Sequence, residues 1–166
     1  MFTTSRLVPA LLAALVLTAT GTGAALAGSS TNNVTVSASV GINCSISTGT
    51  VAFGSYDPLV ANNTSALNQS GTFSVSCPKG TSATIALGNG GNFSGGHRFM
   101  NSGGNQLQYE LYSDSGLSHV WTSSNTVAYN SNSTAAFTET IYGQIPAGQD
   151  AATGTYSDTV VATINF

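Results

Sequence analysis

The sequence is short of charge. Only 5% of its 166 residues are Asp, Glu, Lys or Arg, and only three are cations, against roughly a quarter charged in a typical soluble domain. Nucleic-acid binding and attachment to acidic lipid both rest on clustered Lys and Arg, so both are excluded. Solubility must come from Ser, Thr, Asn and Gly, which suits a packed surface assembly better than a cytosolic enzyme. Histidine is scarce as well. His97 and His119 are the only two, and neither sits in the HxxxH or HExxH spacing that serves a metal. No GxSxG elbow and no GxxxxGK[ST] phosphate loop occurs. The few carboxylates are scattered. Glu110 and Asp114 stand near one strand end, but a glycosidase pair needs a cleft and a raised pKa, neither of which is legible, and surface solvation is the plainer reading. No catalytic set, cofactor or metal is expected.

Long apolar runs are confined to the front of the chain. Residues 1–27 read as an export signal, with Arg6 as the charged start, Leu7 through Leu17 as the apolar stretch, and Ala25-Leu26-Ala27 as a small-residue cleavage site. An uncleaved membrane anchor is the alternative, but the run loosens into Thr18-Ala19-Thr20-Gly21 before it could cross the roughly 20 residues a bilayer requires. Nothing later is apolar enough for membrane insertion. Without the signal, the cations are Lys79 and Arg98, against six carboxylates.

Cysteine is limited to Cys44 and Cys77. In an exported chain an even count reads most simply as a disulfide. Two lone thiols are too few for a metal, and no CxxC marks a redox site. Closing a loop of roughly thirty residues contributes about 3–4 kcal/mol in the chain-entropy account.

Helical periodicity is missing throughout. Short runs rich in Val, Thr, Ile, Phe and Tyr recur between Gly, Asn and Ser clusters, so the chain reads as a single all-β domain of antiparallel neighbours in two sheets. Strands are expected over 34–40, 42–47, 51–56, 71–77, 83–87, 106–113, 138–145 and 155–166, with turns at Gly88-Asn89-Gly90-Gly91-Asn92 and Ser102-Gly103-Gly104-Asn105. Leu107, Tyr109 and Leu111 share one face. Trp121, the only tryptophan, reads as a core or sheet-edge anchor, with ligand stacking as the alternative. His97 and Arg98 fall in a turn after Gly95-Gly96, and Asp57 and Asp158 read as turn organisers.

The two ends carry the most information. Val160, Ala162, Ile164 and Phe166 alternate on one face of the last segment, and Val34, Val36, Ala38, Val40 and Ile42 alternate near the front. An apolar terminal strand needs a neighbour, and an extended apolar leader needs somewhere to dock. Both are met if one molecule's leader completes the next molecule's sheet. The alternative is a leader paired within its own molecule as an ordinary first strand.

Particular segments strengthen this reading: Cys44-Ser45-Ile46, Phe53-Gly54-Ser55-Tyr56-Asp57-Pro58-Leu59, Val75-Ser76-Cys77, Leu107-Gln108-Tyr109-Glu110-Leu111-Tyr112-Ser113-Asp114, Val120-Trp121, Ile141-Tyr142-Gly143-Gln144-Ile145-Pro146-Ala147-Gly148-Gln149 and Gly154-Thr155-Tyr156-Ser157-Asp158-Thr159-Val160. In order and spacing the chain resembles the spore coat protein U domain, shared with the subunits of archaic (Csu-type) chaperone-usher pili. The resemblance implies an incomplete immunoglobulin-like two-sheet sandwich lacking its last strand and completed by donor-strand exchange. It divides the chain into a signal (1–27), a donor extension (28–41) and a sandwich domain (42–166). The implied partners are other copies or other pilus subunits, a periplasmic chaperone and an outer-membrane usher. The implied location is the periplasm in transit, then a cell-surface fibre serving adhesion and biofilm formation. A tip adhesin-type binding module and a non-fimbrial coat protein are the alternatives. On this reading Val34, Val36, Ala38 and Val40 are the donor residues, and the acceptor groove is expected from Val51 and Phe53 with Val160, Ala162, Ile164 and Phe166.

Overall fold

A computed structural model describes residues 27–166, and the chain divides into two units, Met1–Ala38 and Ser39–Phe166. The expected export signal lies outside the described residues except for Ala27. In the first unit, residues 27–38 form no helix or strand and are exposed. The expected strand over 34–40 is not formed: the backbone there has no ladder partner, and alternation alone does not make a strand.

Unit Ser39–Phe166 contains eight strands: β1 (Ser45–Ile46), β2 (Leu67–Ser76), β3 (Ser82–Leu87), β4 (Arg98–Ser102), β5 (Asn105–Tyr112), β6 (Val127–Asn130), β7 (Phe137–Ile145) and β8 (Ala162–Asn165). All pair antiparallel, in a five-stranded sheet of order β1-β2-β7-β5-β4 and a three-stranded sheet of order β6-β3-β8. The described residues contain no helix. This is an immunoglobulin-like sandwich without its last strand.

Register defines two poles. β2 and β7 pair from Leu67 opposite Ile145 to Val75 opposite Phe137, so the end of β2 and the start of β7 lie together. Cys77 follows β2 and is joined there to Cys44 by a disulfide; this end is the cystine pole. At the opposite, hairpin pole sit Leu67, Pro146 and the β4–β5 turn, where Ser102 faces Asn105.

The core follows from alternation. Leu107, Tyr109 and Leu111 of β5 are buried on one face, Ile85 and Leu87 come from β3, and Phe73 and Val75 from β2. Trp121 is fully enclosed and bridges the sheets: its backbone N–H donates to Leu111 O at 2.8 Å and its indole Nε1 to Ile85 O at 2.9 Å. Arg98 does not lie in a turn. It opens β4, is 1% exposed, and donates through Nη1 to Glu110 Oε2 at 3.2 Å, through Nη2 to Trp121 O and Gly88 O at 2.7 Å each, and through Nε to Gly88 O at 3.1 Å. A buried guanidinium is tolerable because its planar fork finds a partner in every direction. Glu110, read from sequence as a solvated surface group, is half of this pair.

Candidate functional site

The sandwich is open along one seam. A groove of about 420 Å³ lies between residues 47–53, which follow β1, and residues 156–162, which lead into β8. Its floor is apolar: Phe73, Leu87, Tyr109, Leu111 and Ile141 from both sheets, with Met100 at the side. The expected strand over 51–56 is absent. The wall is tied to β2 by an isolated bridge, Thr50 to Thr72, and at its start by Ser47, whose N–H donates to Ser74 O and whose Oγ accepts from Ser74 N at 2.8 Å each, and Gly54 turns the chain at a φ of 78°. The expected strand over 155–166 is cut back to its last third, because residues 158–161 have a strand neighbour on neither side, only the single bond from Gly88 N to Val161 O at 2.8 Å. Both walls are therefore extended chain bordering a vacant lane.

Two interior glycines fix the first wall. A Cβ on Gly71 of β2 would strike the carbonyl of Thr50, and one on Gly143 of β7 would come within 2.6 Å of the Phe53 ring and 2.9 Å of Val51 Cγ1. These glycines let the wall lie flat against β2 and β7, which aims Val51 and Phe53 into the groove. A glycine inside a strand marks a close backbone approach, so Gly71 and Gly143 are the sequence signal for this wall.

The second wall hangs from Asp158. Its Oδ1 accepts from Gly91 N at 2.9 Å and Asn92 Nδ2 at 3.1 Å, and its Oδ2 accepts from the Tyr109 hydroxyl at 2.7 Å. Gly90, at a φ of 85°, has no room for a Cβ beside this carboxylate. Burial, reinforced by the bond to Asp158, holds the Tyr109 phenol far above its ordinary range. It therefore stays a neutral donor. Asp158 organises a turn as expected, but a turn of another segment, 67 residues away in sequence. Ser157 exchanges backbone bonds with Asn101 of β4, at 2.9 and 3.2 Å.

Of the six residues expected to form the groove, Val51, Phe53, Val160 and Ala162 line it. Ile164 does not; it pairs with Ile85 of β3 and packs half-buried against the core. Phe166 lies beyond β8 and is 57% exposed, so the chain end is not packed down. Among the four leader residues, Ala38 is exposed, and Val34, Val36 and Val40 are 85%, 89% and 87% exposed. No helix among the described residues is long and apolar enough to cross a membrane, and no cluster of three or more His, Cys, Asp or Glu among them could hold a metal ion.

Protein U of Myxococcus xanthus is 36% identical to this chain over 153 residues, covering 82% of this chain and 85% of that protein. Among solved structures, a chain of the crystal structure of the CsuC–CsuE chaperone-tip adhesion subunit pre-assembly complex, from archaic chaperone-usher Csu pili of Acinetobacter baumannii, has the same fold. The TM-score is 0.53 at 22% identity, over 76% of this chain and 40% of that one, so this chain spans well under half of that neighbour's length. The family model for the Spore Coat Protein U domain matches residues 30–163. The match over residues 30–163 and the 36% identity to Protein U, on an all-β sandwich of this topology, place the chain in the Spore Coat Protein U domain family.

Proposed function

We propose that this protein is a structural subunit of a bacterial surface fibre, exported through the periplasm and assembled by the chaperone-usher route through donor-strand complementation. Its partners are other copies of itself or other pilus subunits, with a periplasmic chaperone and an outer-membrane usher serving assembly. Adhesion and biofilm formation are the uses to which such a fibre is put. The observation that carries this reading is the apolar groove bordered by two walls without strand neighbours, in a chain whose own leader carries three exposed valines at alternate positions.

Seven leader residues at about 3.3 Å each reach roughly 23 Å, a normal strand. With Val34, Val36, Ala38 and Val40 turned inward, Thr35, Ser37 and Ser39 face water. Burying three valines and an alanine stabilises the joint by about 5–10 kcal/mol before ordering costs, and each backbone hydrogen bond adds roughly 0.5–1.5 kcal/mol net. No chemistry is asked of the protein beyond this.

Removing residues 28–40 should leave a domain that folds but does not polymerise, read as loss of the multimer ladder on an unboiled denaturing gel and as a single small species by size-exclusion chromatography. In the full chain, Val36→Asp should weaken the joint by more than about 2 kcal/mol, since a carboxylate would be buried unpaired. Multimers unchanged by the truncation would overturn the reading. The family's description as a spore coat domain favours one second reading, a non-fimbrial coat. Electron micrographs of the assembled material separate the two, as threads or as sheets.

A further inference from the structure

The hairpin pole carries a rigid apolar display. Leu59 and Val60 are 84% and 77% exposed, which is unusual for adjacent large aliphatics on a turn. The turn is built rather than loose: Asp57 Oδ1 accepts from Leu59 N at 3.0 Å and Val60 N at 3.1 Å, and Asn62 N donates to Asp57 O at 2.8 Å. Asn62, itself buried, accepts through Oδ1 from Asp57 N at 2.9 Å and through its backbone carbonyl from Gly148 N at 2.8 Å. Nearby, the Tyr56 hydroxyl donates to Pro146 O at 2.9 Å. The two side chains are thus held outward by a framework of six hydrogen bonds.

Topology says what comes to rest there. The groove runs between the poles: Ser157 is bonded to Asn101 beside the β4–β5 turn at the hairpin pole, while Asn165 pairs with Thr84 near the start of β3, toward the cystine pole. Every copy's leader joins its domain at Cys44, at the cystine pole. An incoming copy whose leader left the groove at that same pole would collide with the recipient's own leader. It must leave at the hairpin pole. Between Val40 and Cys44 lie only Gly41, Ile42 and Asn43, a tether of at most about 14 Å when fully extended. The incoming domain's cystine pole is thereby brought against the recipient's hairpin pole.

We propose that Leu59 and Val60 form the docking surface for the cystine pole of the next copy, a second contact beyond the strand joint that fixes the angle between successive subunits. The contact is heterologous and head-to-tail, so it propagates without closing. It rests on the fibre reading above and deepens it. On the incoming side Ile42, 60% exposed at the base of the leader, is the apolar counterpart.

The test uses the full exported chain with p-benzoylphenylalanine in place of Leu59, assembled and irradiated. Mass spectrometry should find the label joined to another copy within residues 42–47 or 77–80. The double variant Leu59→Ser, Val60→Ser should keep the multimer ladder but broaden the distribution of angles between neighbouring subunits in negative-stain images at least twofold. Labels joined to the sandwich flanks or to nothing, or an unchanged angle distribution, would overturn the proposal while the ladder upholds the strand joint. A preparation with no ladder at all removes the fibre reading, and this contact with it.

Discussion

The two places where the sheets approach one another are built on opposite plans. On the closed side every polar group that crosses finds an internal partner: the Trp121 indole on Ile85 O, and the Arg98 guanidinium on Glu110, Gly88 O and Trp121 O. Among the described residues no buried side-chain polar atom lacks a partner. On the open side the polar crossings are confined to the second wall, where Tyr109 reaches Asp158 and Asn101 exchanges bonds with Ser157, and Val51, Met100, Tyr156, Val160 and Ala162 are only partly buried. On the proposed function, the contrast means that stability and binding are assigned to different seams. A frame locked on one side tolerates a vacancy on the other, because the vacancy costs unburied apolar surface, whereas an incomplete polar crossing would cost unsatisfied groups in the interior.

Three perturbations break or sharpen that contrast. Arg98→Ala should be the most damaging, at about 3–5 kcal/mol, since it strands Glu110, the buried Trp121 carbonyl and the part-buried Gly88 carbonyl without their donor. Urea unfolding of the isolated domain measures it, and a loss below about 1 kcal/mol would mean that the closed seam is not what holds the frame. Gly143→Ala should cost less, about 1–3 kcal/mol, because the added methyl meets the Phe53 ring and Val51. Its larger effect should be on multimer yield, as Phe53 is driven into the groove. A variant that loses stability yet assembles normally would show that this wall does not shape the binding lane.

The smallest effect belongs to Asp114, which lies in neither seam. The N–H of His119 donates to it, aided by the hydroxyl and N–H of Ser118, and its carboxyl falls from 3.8 to about 2. A depressed carboxyl stabilises the fold fully above its ordinary 3.8, and that contribution is lost as pH falls through about 2. Asp114→Asn should therefore flatten the acid limb of thermal stability in that window and leave assembly at neutral pH alone. Carboxyl NMR titration locates the midpoint directly.

The strands that share both faces with neighbours were legible. The segments read as 71–77, 83–87, 106–113 and 138–145 match β2 in its latter half, β3, β5 and β7 to within a residue or two at their shared ends, because alternation of apolar and polar residues is imposed by a sheet with one face on the core. β4 was hidden behind Gly95 and Gly96 and by a charged residue at a core position; its apolar pattern is broken where Arg98 carries its partners with it. β6, with four residues, is too short to show a period. The walls of the groove failed for a different reason. Residues 51–56 and 155–161 have strand-like composition because their apolar side chains line the groove, and composition records an apolar face without saying whether the backbone beside it has a strand partner. Val51, Phe53, Val160 and Ala162 could be named in advance for the same reason, whereas Ile164 and Phe166 could not be told from them by alternation alone.

The cystine has a mechanical consequence. β1 is two residues long and meets β2 through only Ser45 opposite Ser76 and Ile46 opposite Val75, a weak fastening for a chain pulled from its leader. In a fibre of the proposed kind, tension arriving at Cys44 would pass through sulfur to Cys77 and directly into β2, whose run against β7 from Leu67 to Val75 is the most extended pairing among the described residues. Force is thereby shunted past the flimsiest strand and applied lengthwise to the ladder, in shear, where nine residue pairs resist together rather than peeling one at a time. Reduction of that single bond would convert a rope into a zipper.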